Sequence, residues 1–318
     1  MKRVLAPLLL LLSMAPAGAQ DFPSKPVRMV VPFAAGGPTD ILTRLAAEGM
    51  ASRLGQPVVV ENRTGAAGGI AADFVQRSPA DGHTLLVAGQ AILFINQHLY
   101  KKLQYDPAEF TFVGMLGQFP NVVVAHPDLP AKSMAELVQF AKSKPGAVSY
   151  GSNGIGSLSH LTTEMIAKAA GINIVHVPYQ GAAPQMADLM AGRIGLTIVG
   201  PQTIMPLIRQ GKLRPIAVST SKRYAGLADT PTLIEAGFKD LDLPVWFAIM
   251  APARTPAAAL ARLRSTFEAV ATAPSYIGEL EKRQSQPMPL TVQQAEGVFA
   301  REGKFWTDAV KSTGATAE

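Results

Sequence analysis

Two stretches of this 318-residue chain combine glycine with small polar residues where a strand gives way to a helix. The first is Phe33-Ala34-Ala35-Gly36-Gly37-Pro38-Thr39-Asp40, and the second is Gly151-Ser152-Asn153-Gly154-Ile155-Gly156-Ser157. Glycine lets backbone N–H groups approach a ligand, and a helix start adds unpaired N–H groups and the positive end of its dipole. Either loop could hold an anion without lysine or arginine. A plain βα turn has the same composition; one such loop in each half of the chain favours a site. A third stretch, Tyr179-Gln180-Gly181-Ala182-Ala183-Pro184, also follows a strand and precedes a helix. It fits either a further wall of a cleft or a turn with a buried tyrosine.

Enzyme chemistry has little support. The chain contains no G-x-S-x-G, no H-E-x-x-H and no Walker loop. The histidines are His83, His98, His126, His160 and His176, none of them i, i+4 from another, so no metal site is expected. No cofactor is expected either: Gly154-Ile155-Gly156-Ser157-Leu158-Ser159 approaches G-x-G-x-x-G, but the following strand, Ile174 to Val177, has no acidic residue for a ribose. His160 falls in the first turns of a helix, where it either meets a ligand oxygen or satisfies a nearby carbonyl. Ser157 and His160 are the one local nucleophile–base pair, with no third group to orient the histidine.

The elements that position these loops alternate. Val27–Pro32 predicts a strand; Gly37 as N-cap, Pro38 at the first position and Asp40 at the third predict a helix start. Strands are expected at 58–62, 84–88, 113–116, 121–125, 148–150, 174–179, 194–199, 214–219 and 245–252. Helices are expected at 70–77, 158–170, 183–191, 204–210 and up to about 271 behind Thr255-Pro256. Capping boxes are expected at Ser133–Glu136 and Thr291–Gln294. Strand–helix alternation implies an α/β fold with mainly parallel sheets, and open sheets of this kind bind ligands beyond the carboxyl ends of their strands. Trp246 is expected in the core.

Lys2-Arg3, the apolar run Val4–Met14 and Ala17-Gly18-Ala19 predict a secretory signal peptide over residues 1–19, cleaved near Ala19. The net charge of +6 falls to +4 without Lys2 and Arg3, and the basic residues are scattered, so no nucleic acid is expected. A modest positive balance suits an anionic ligand. With no cysteine, packing alone must hold the fold.

Several runs, in order along nearly the whole chain, resemble the Bug-type receptors, the periplasmic substrate-binding proteins of tripartite tricarboxylate transporters. They are Lys25 to Asp40, Leu54 to Arg63, Asp81-Gly82-His83-Thr84-Leu85-Leu86, His176 to Gly181, Gly211 to Arg214, and Pro231-Thr232 with Glu235-Ala236-Gly237. The resemblance implies a two-lobed periplasmic-binding-protein-like fold with two crossover strands: residues 20–121 plus 247–318 as lobe one, 122–246 as lobe two, and hinges near 121–124 and 245–248. It implies a monomeric, non-enzymatic receptor that delivers a small organic carboxylate to membrane permease subunits. Its carboxylate site carries over to Phe33, Ala34, Ala35, Gly36, Gly37, Thr39 and Asp40. Lobe-two contacts carry over to Ser152, Asn153, Gly154, Ser157, His160, Tyr179 and Gln180, and Gln90 and Gly200 complete the expected set. Gly195 and Val199 stand where relatives commonly carry acids, which implies a ligand without an amine. The alternatives are a sensing receptor of a signalling system and a secreted hydrolase or isomerase.

Overall fold

The computed structural model describes residues 22–316. The expected signal peptide lies outside the described residues. Two five-stranded sheets organise the chain, the second from one continuous stretch and the first from two. The first contains β1 (Val27–Val31), β2 (Val58–Asn62), β3 (Thr84–Ala88), β4 (Phe110–Phe119) and β10 (Val245–Pro252), in the order β2-β1-β3-β10-β4. The second contains β5 (Val122–Ala125), β6 (Ser149–Ser152), β7 (Val175–Pro178), β8 (Leu196–Val199) and β9 (Arg214–Val218), in the order β7-β6-β8-β5-β9. In each sheet one strand is reversed: β10 runs antiparallel to β3 and β4, and β5 to β8 and β9. The remaining strands run one way, as expected, with β1 parallel to both β2 and β3, and β6 parallel to both β7 and β8.

The two sheets share a plan. β1, β2 and β3 correspond to β6, β7 and β8, so the loops after β1 and β6 occupy equivalent places. Val27, Met29, Val30 and Val31 are fully buried, which explains why β1 reads as an apolar run: a parallel strand covered on both faces has no polar side. Helices α1 (Pro38–Leu54), α2 (Gly69–Gln76) and α3 (Asn96–Leu99) belong to the first sheet's stretch, with a π-helical segment at Ala91–Ile95. Helices α4 (Met134–Ser143), α5 (Leu158–Ala170), α6 (Ala182–Met190) and α7 (Pro201–Arg209) belong to the second. Helices α8 (Ala257–Ala271), α9 (Pro274–Lys282) and α10 (Val292–Thr313) follow β10.

Capping explains several boundaries. Gly37 is the N-cap of α1 with Pro38 behind it, Ser157 caps α5, and Thr291 and Gln294 form a complete capping box. Two expectations change. Ser133 accepts the Glu136 N–H, but the Glu136 carboxylate turns to the Lys132 N–H, so the reciprocal half of that box is absent. Thr255 does not cap α8; Pro256 is the N-cap, and the Thr255 hydroxyl is buried without a partner among the described residues.

The chain crosses between sheets twice. Only Pro120 and Asn121 separate β4 from β5, and residues 219–244 return from β9 to β10. The crossings therefore lie just outside the strands, because β5 and β10 each pair in one sheet along their full length. A third tie is α10, which packs on Ala91–Ile95, α3 and β4 and also on α5. Lys168 Nζ donates to Ser312 O at 3.2 Å across that contact. Trp246 is fully buried, as expected, and its indole N–H donates to Glu302 on α10.

Candidate ligand-binding site

The first loop is built by Asp40. Its carboxylate is almost fully buried, and both oxygens are occupied. Oδ2 accepts the Gly36 N–H and Arg44 Nε, each at 2.9 Å; Oδ1 accepts Arg44 Nη2 at 3.0 Å and Asn62 Nδ2 at 2.8 Å. Burial pushes this carboxyl up, but the hydrogen bonds from Arg44, Gly36 and Asn62 outweigh it and hold it below its ordinary value. The Asp40 side chain thus frames the loop, and its backbone N–H is the group left to meet a ligand. The Asn62 amide also donates to Phe33 O, and Gly36 takes φ +80°, which a Cβ would disfavour.

With the loop so held, the Ala34, Ala35, Thr39 and Asp40 N–H groups have no hydrogen-bond partner among the described residues. Gly37 N–H makes only a long contact to Ala34 O at 3.4 Å. Phe33, Ala34, Ala35 and Gly36 are exposed. The Phe33 ring lies edge-on to Phe247 at 5.5 Å, against the first residues of the returning strand. This is an open rim of donors at a helix start.

The second loop differs. Asn153 N–H donates to Ser159 Oγ, Gly154 N–H to Ser152 Oγ, Gly156 N–H to His160 Nδ1 and Ser157 N–H to Gly154 O. Its amides are largely consumed by its own side chains. Ser152 is fully buried and its hydroxyl meets Gly154 O and His176 Nε2; Ser157 Oγ donates to Gly154 O and accepts the His160 N–H. Ser157 and His160 therefore do not face each other as nucleophile and base. Asn153 is exposed and Gly154 half-buried.

The other expected residues divide similarly. Tyr179 OH donates to Asp188 Oδ2 at 2.8 Å, while Gln180 is exposed. Gln90 is buried after β3, and its amide donates to Pro244 O at 2.8 Å, tying the second crossing to the first sheet. Gly200, equivalent to the β3 end, is the N-cap of α7; a Cβ there would crowd Gln202 Oε1 and the Phe119 ring. Arg44, Asn62, Ser159 and His176 were not singled out from sequence. Arg44 had a signal, four residues after Asp40 on one helix.

A cavity of about 400 Å³ joins the two halves beside the first loop, lined by Gly36, Pro38, Ile41 and Leu42, by Gln202 and Thr203 of α7, and by residues 282–285. A wider groove of about 810 Å³ lies between Lys25, Arg28, Arg63, Phe74 and Arg77 and contains none of the loop residues. Its cations are paired with Asp81, Glu61 and Asp73, so it is a solvated charged flank.

Residues 42–314 match the model of the tripartite tricarboxylate transporter family receptor, TctC. The chain belongs to this family. Protein BugT of Bordetella pertussis is 34% identical over 303 residues, covering 95% of this chain and 93% of its own. A solved structure described as R. palustris Rpa4515 with adipate shares 36% identity at a TM-score of 0.85, covering 93% of this chain and 99% of that one. MatC from Rhodopseudomonas palustris with bound malate shares 29% identity at a TM-score of 0.78, over 91% and 100% of the two chains. The two-sheet α/β architecture is thus the fold of TctC solute-binding receptors, and the loops after β1 and β6 lie at equivalent strand ends within it.

Proposed function

We propose that this TctC receptor works in the periplasm, reached through the predicted signal peptide, and captures a small organic carboxylate for the membrane permease subunits of a tripartite transporter. It acts as a monomer and performs no chemistry on its ligand. The observation that carries the carboxylate assignment is the row of unpartnered N–H groups at Ala34, Ala35, Thr39 and Asp40, at the start of α1, held open by a saturated Asp40. Adipate and malate, bound by the two solved relatives, support the same ligand class.

The same geometry bears on the amine. Asp40 is the only acid in the expected contact set, and both its oxygens are taken by Gly36, Arg44 and Asn62. An ammonium would find no free carboxylate there, and an unpaired charge in a closed cleft is costly. The ligand is therefore a carboxylate without an amine. Lobe one comprises the first sheet and lobe two the second. They turn about Pro120–Asn121 and residues 219–244, and closure follows because the ligand binds the closed form better.

A thermal-shift panel of dicarboxylates, hydroxy acids and acidic amino acids tests this. Ligand at a hundred times its Kd adds about 2.7 kcal/mol, a rise of at least a few degrees for a chain of this size. No shift with any organic acid overturns the receptor assignment; a larger shift with aspartate or glutamate than with adipate or malate overturns the amine-free assignment.

A further inference from the structure

Beneath the second loop lies a column of three aromatic rings that the loop's sequence does not announce. Tyr150 on β6 stacks on His176 on β7 at 4.8 Å and 16°, and His176 stacks on His160 of α5 at 4.1 Å and 14°. Both histidines reach into the loop. His160 Nδ1 accepts the Gly156 N–H at 3.0 Å. His176 Nε2 meets Ser152 Oγ at 2.7 Å. The Ser152 hydroxyl can both donate and accept, and it lies within reach of Gly154 O as well, so its bond to His176 Nε2 can run in either direction.

The two imidazoles are thus not equivalent toward protons. Protonating His176 keeps its bond to Ser152, because the hydroxyl can turn and accept from an Nε2–H. Protonating His160 puts a hydrogen on Nδ1, the one atom that holds Gly156, and leaves that amide facing a donor. Gly156 sits in the left-handed region at φ +76° against Leu99 of the other half, so its backbone has little freedom to find another acceptor. The titratable groups facing the pair among the described residues are Tyr150 from β6 and Glu164 from α5, whose carboxylate accepts the Tyr150 hydroxyl proton. We infer that His160 is a positioning residue for the binding loop, and that the loop keeps its ligand-competent shape only while His160 is neutral.

The electrostatics agree. Burial holds His160 below its ordinary value, and burial together with the neighbouring His160 charge takes His176 down to about 4, against a smaller opposing pull from Glu164. Two imidazolium rings 4.1 Å apart would repel, so the column resists a second proton.

The binding readout rests on the receptor function proposed above; the amide readout does not. Adipate binding is measured from pH 7.5 to 4.5 for the wild type, His160→Gln and His160→Leu. Glutamine offers an oxygen to Gly156 that does not titrate; leucine offers none. At pH 7.5 we expect His160→Leu to weaken binding roughly tenfold, the worth of one buried hydrogen bond, and His160→Gln to stay within about threefold of wild type. On acidification the wild type should weaken up to about tenfold more per pH unit than His160→Gln; the ligand's own ionisation is common to both and cancels. Protection of the Gly156 amide against hydrogen exchange should fall in the ligand-free wild type once His160 titrates, and persist in His160→Gln. Equal pH slopes for wild type and His160→Gln, or Gly156 protection that survives His160 titration, overturns the inference. If adipate binds none of the three, the Gly156 protection decides alone, and the loss falls on adipate as the ligand of this receptor.

Discussion

The hydroxyl of Ser219 accepts the Asn121 N–H at 2.9 Å, joining the two segments that cross between the sheets. Ser219 is fully buried, and its hydroxyl donates in turn to Leu243 O at 2.8 Å. Its backbone completes the knot: Ser219 N–H donates to Asn121 O, and Leu243 N–H to Ser219 O. One residue therefore ties the outgoing crossing to both ends of the return. Ser219→Ala leaves the Asn121 N–H and the Leu243 carbonyl each short of a partner in a dry site, which costs about 1–3 kcal/mol. We expect the melting temperature to drop by at least about 2 °C. A variant as stable as wild type would show that the hinge does not depend on this hydroxyl.

Asp40 predicts a different outcome, loss of binding without direct contact. Asp40→Asn replaces one acceptor oxygen by a donor facing Gly36 N–H, Asn62 or Arg44, and loosens the loop whose free amides are proposed to hold the ligand. Affinity for whichever carboxylate the thermal-shift panel identifies should fall about tenfold or more, the worth of a charge-assisted hydrogen bond. The same carboxyl makes stability acid-sensitive. Its folded value lies below the ordinary 3.8, so its contribution is complete above that value and is lost as pH falls through the folded one. Asp40→Asn should flatten the acid limb of a stability profile below about pH 4 and leave the profile at pH 6–8 parallel to wild type. Unchanged affinity in Asp40→Asn would separate the loop's frame from its function.

Much of this was legible because local rules fix it. Gly37-Pro38 sets the start of α1, and Ser157 with Gly171 sets both ends of α5. The strand at 245–252 was found at its observed limits because its residues are all buried and read as one apolar run. Two helical segments went unread. Ala91–Leu99 is a π-helical stretch leading into a single α turn, buried nearly all round, so no 3.6-residue stripe shows. Helix α9 is short and starts on Ala273 rather than a capping side chain. In the candidate site, glycine content singled out the two loops but not which of their amides are free. That depends on Asn62, 22 residues beyond Asp40, and on His176, 24 beyond Ser152, contacts that only the folded sheets create.

Gly156 offers a test of the contact between halves. A Cβ there would overlap Leu99 Cδ1, with Cγ at 3.2 Å and Cδ2 at 3.3 Å, so the whole Leu99 side chain must move. Gly146 is the control, with φ +79° but open space around it. Both alanine variants bear the left-handed penalty of about 1–2 kcal/mol. Only Gly156→Ala should also weaken binding of the carboxylate that the thermal-shift panel identifies, by roughly tenfold, because it pushes the second loop away from the first half. Equal affinities in the two variants would mean that the Leu99 contact is not part of the closed state.

Glu302 links the chain's two tryptophans, so intrinsic fluorescence reports on it directly. Oε1 accepts Trp246 Nε1 at 2.9 Å and Oε2 accepts Trp306 Nε1 at 2.7 Å, joining β10 to the helix that spans both halves. Burial pushes this carboxyl up, and the two indole N–H bonds only partly offset that. A carboxyl raised on folding binds its proton more tightly in the folded state. Its effect on stability is therefore neutral well below the ordinary 4.5 and becomes increasingly unfavourable as pH rises from there through the folded value. Glu302→Gln cannot titrate, and its amide nitrogen faces one indole donor, which costs about 1–3 kcal/mol. We expect a variant with a lower melting temperature at pH 4.5, a smaller deficit at pH 7, and tryptophan emission that no longer shifts between those two conditions. A deficit that stays constant from pH 4.5 to 7, with emission still moving, would mean that another group near the tryptophans carries the titration.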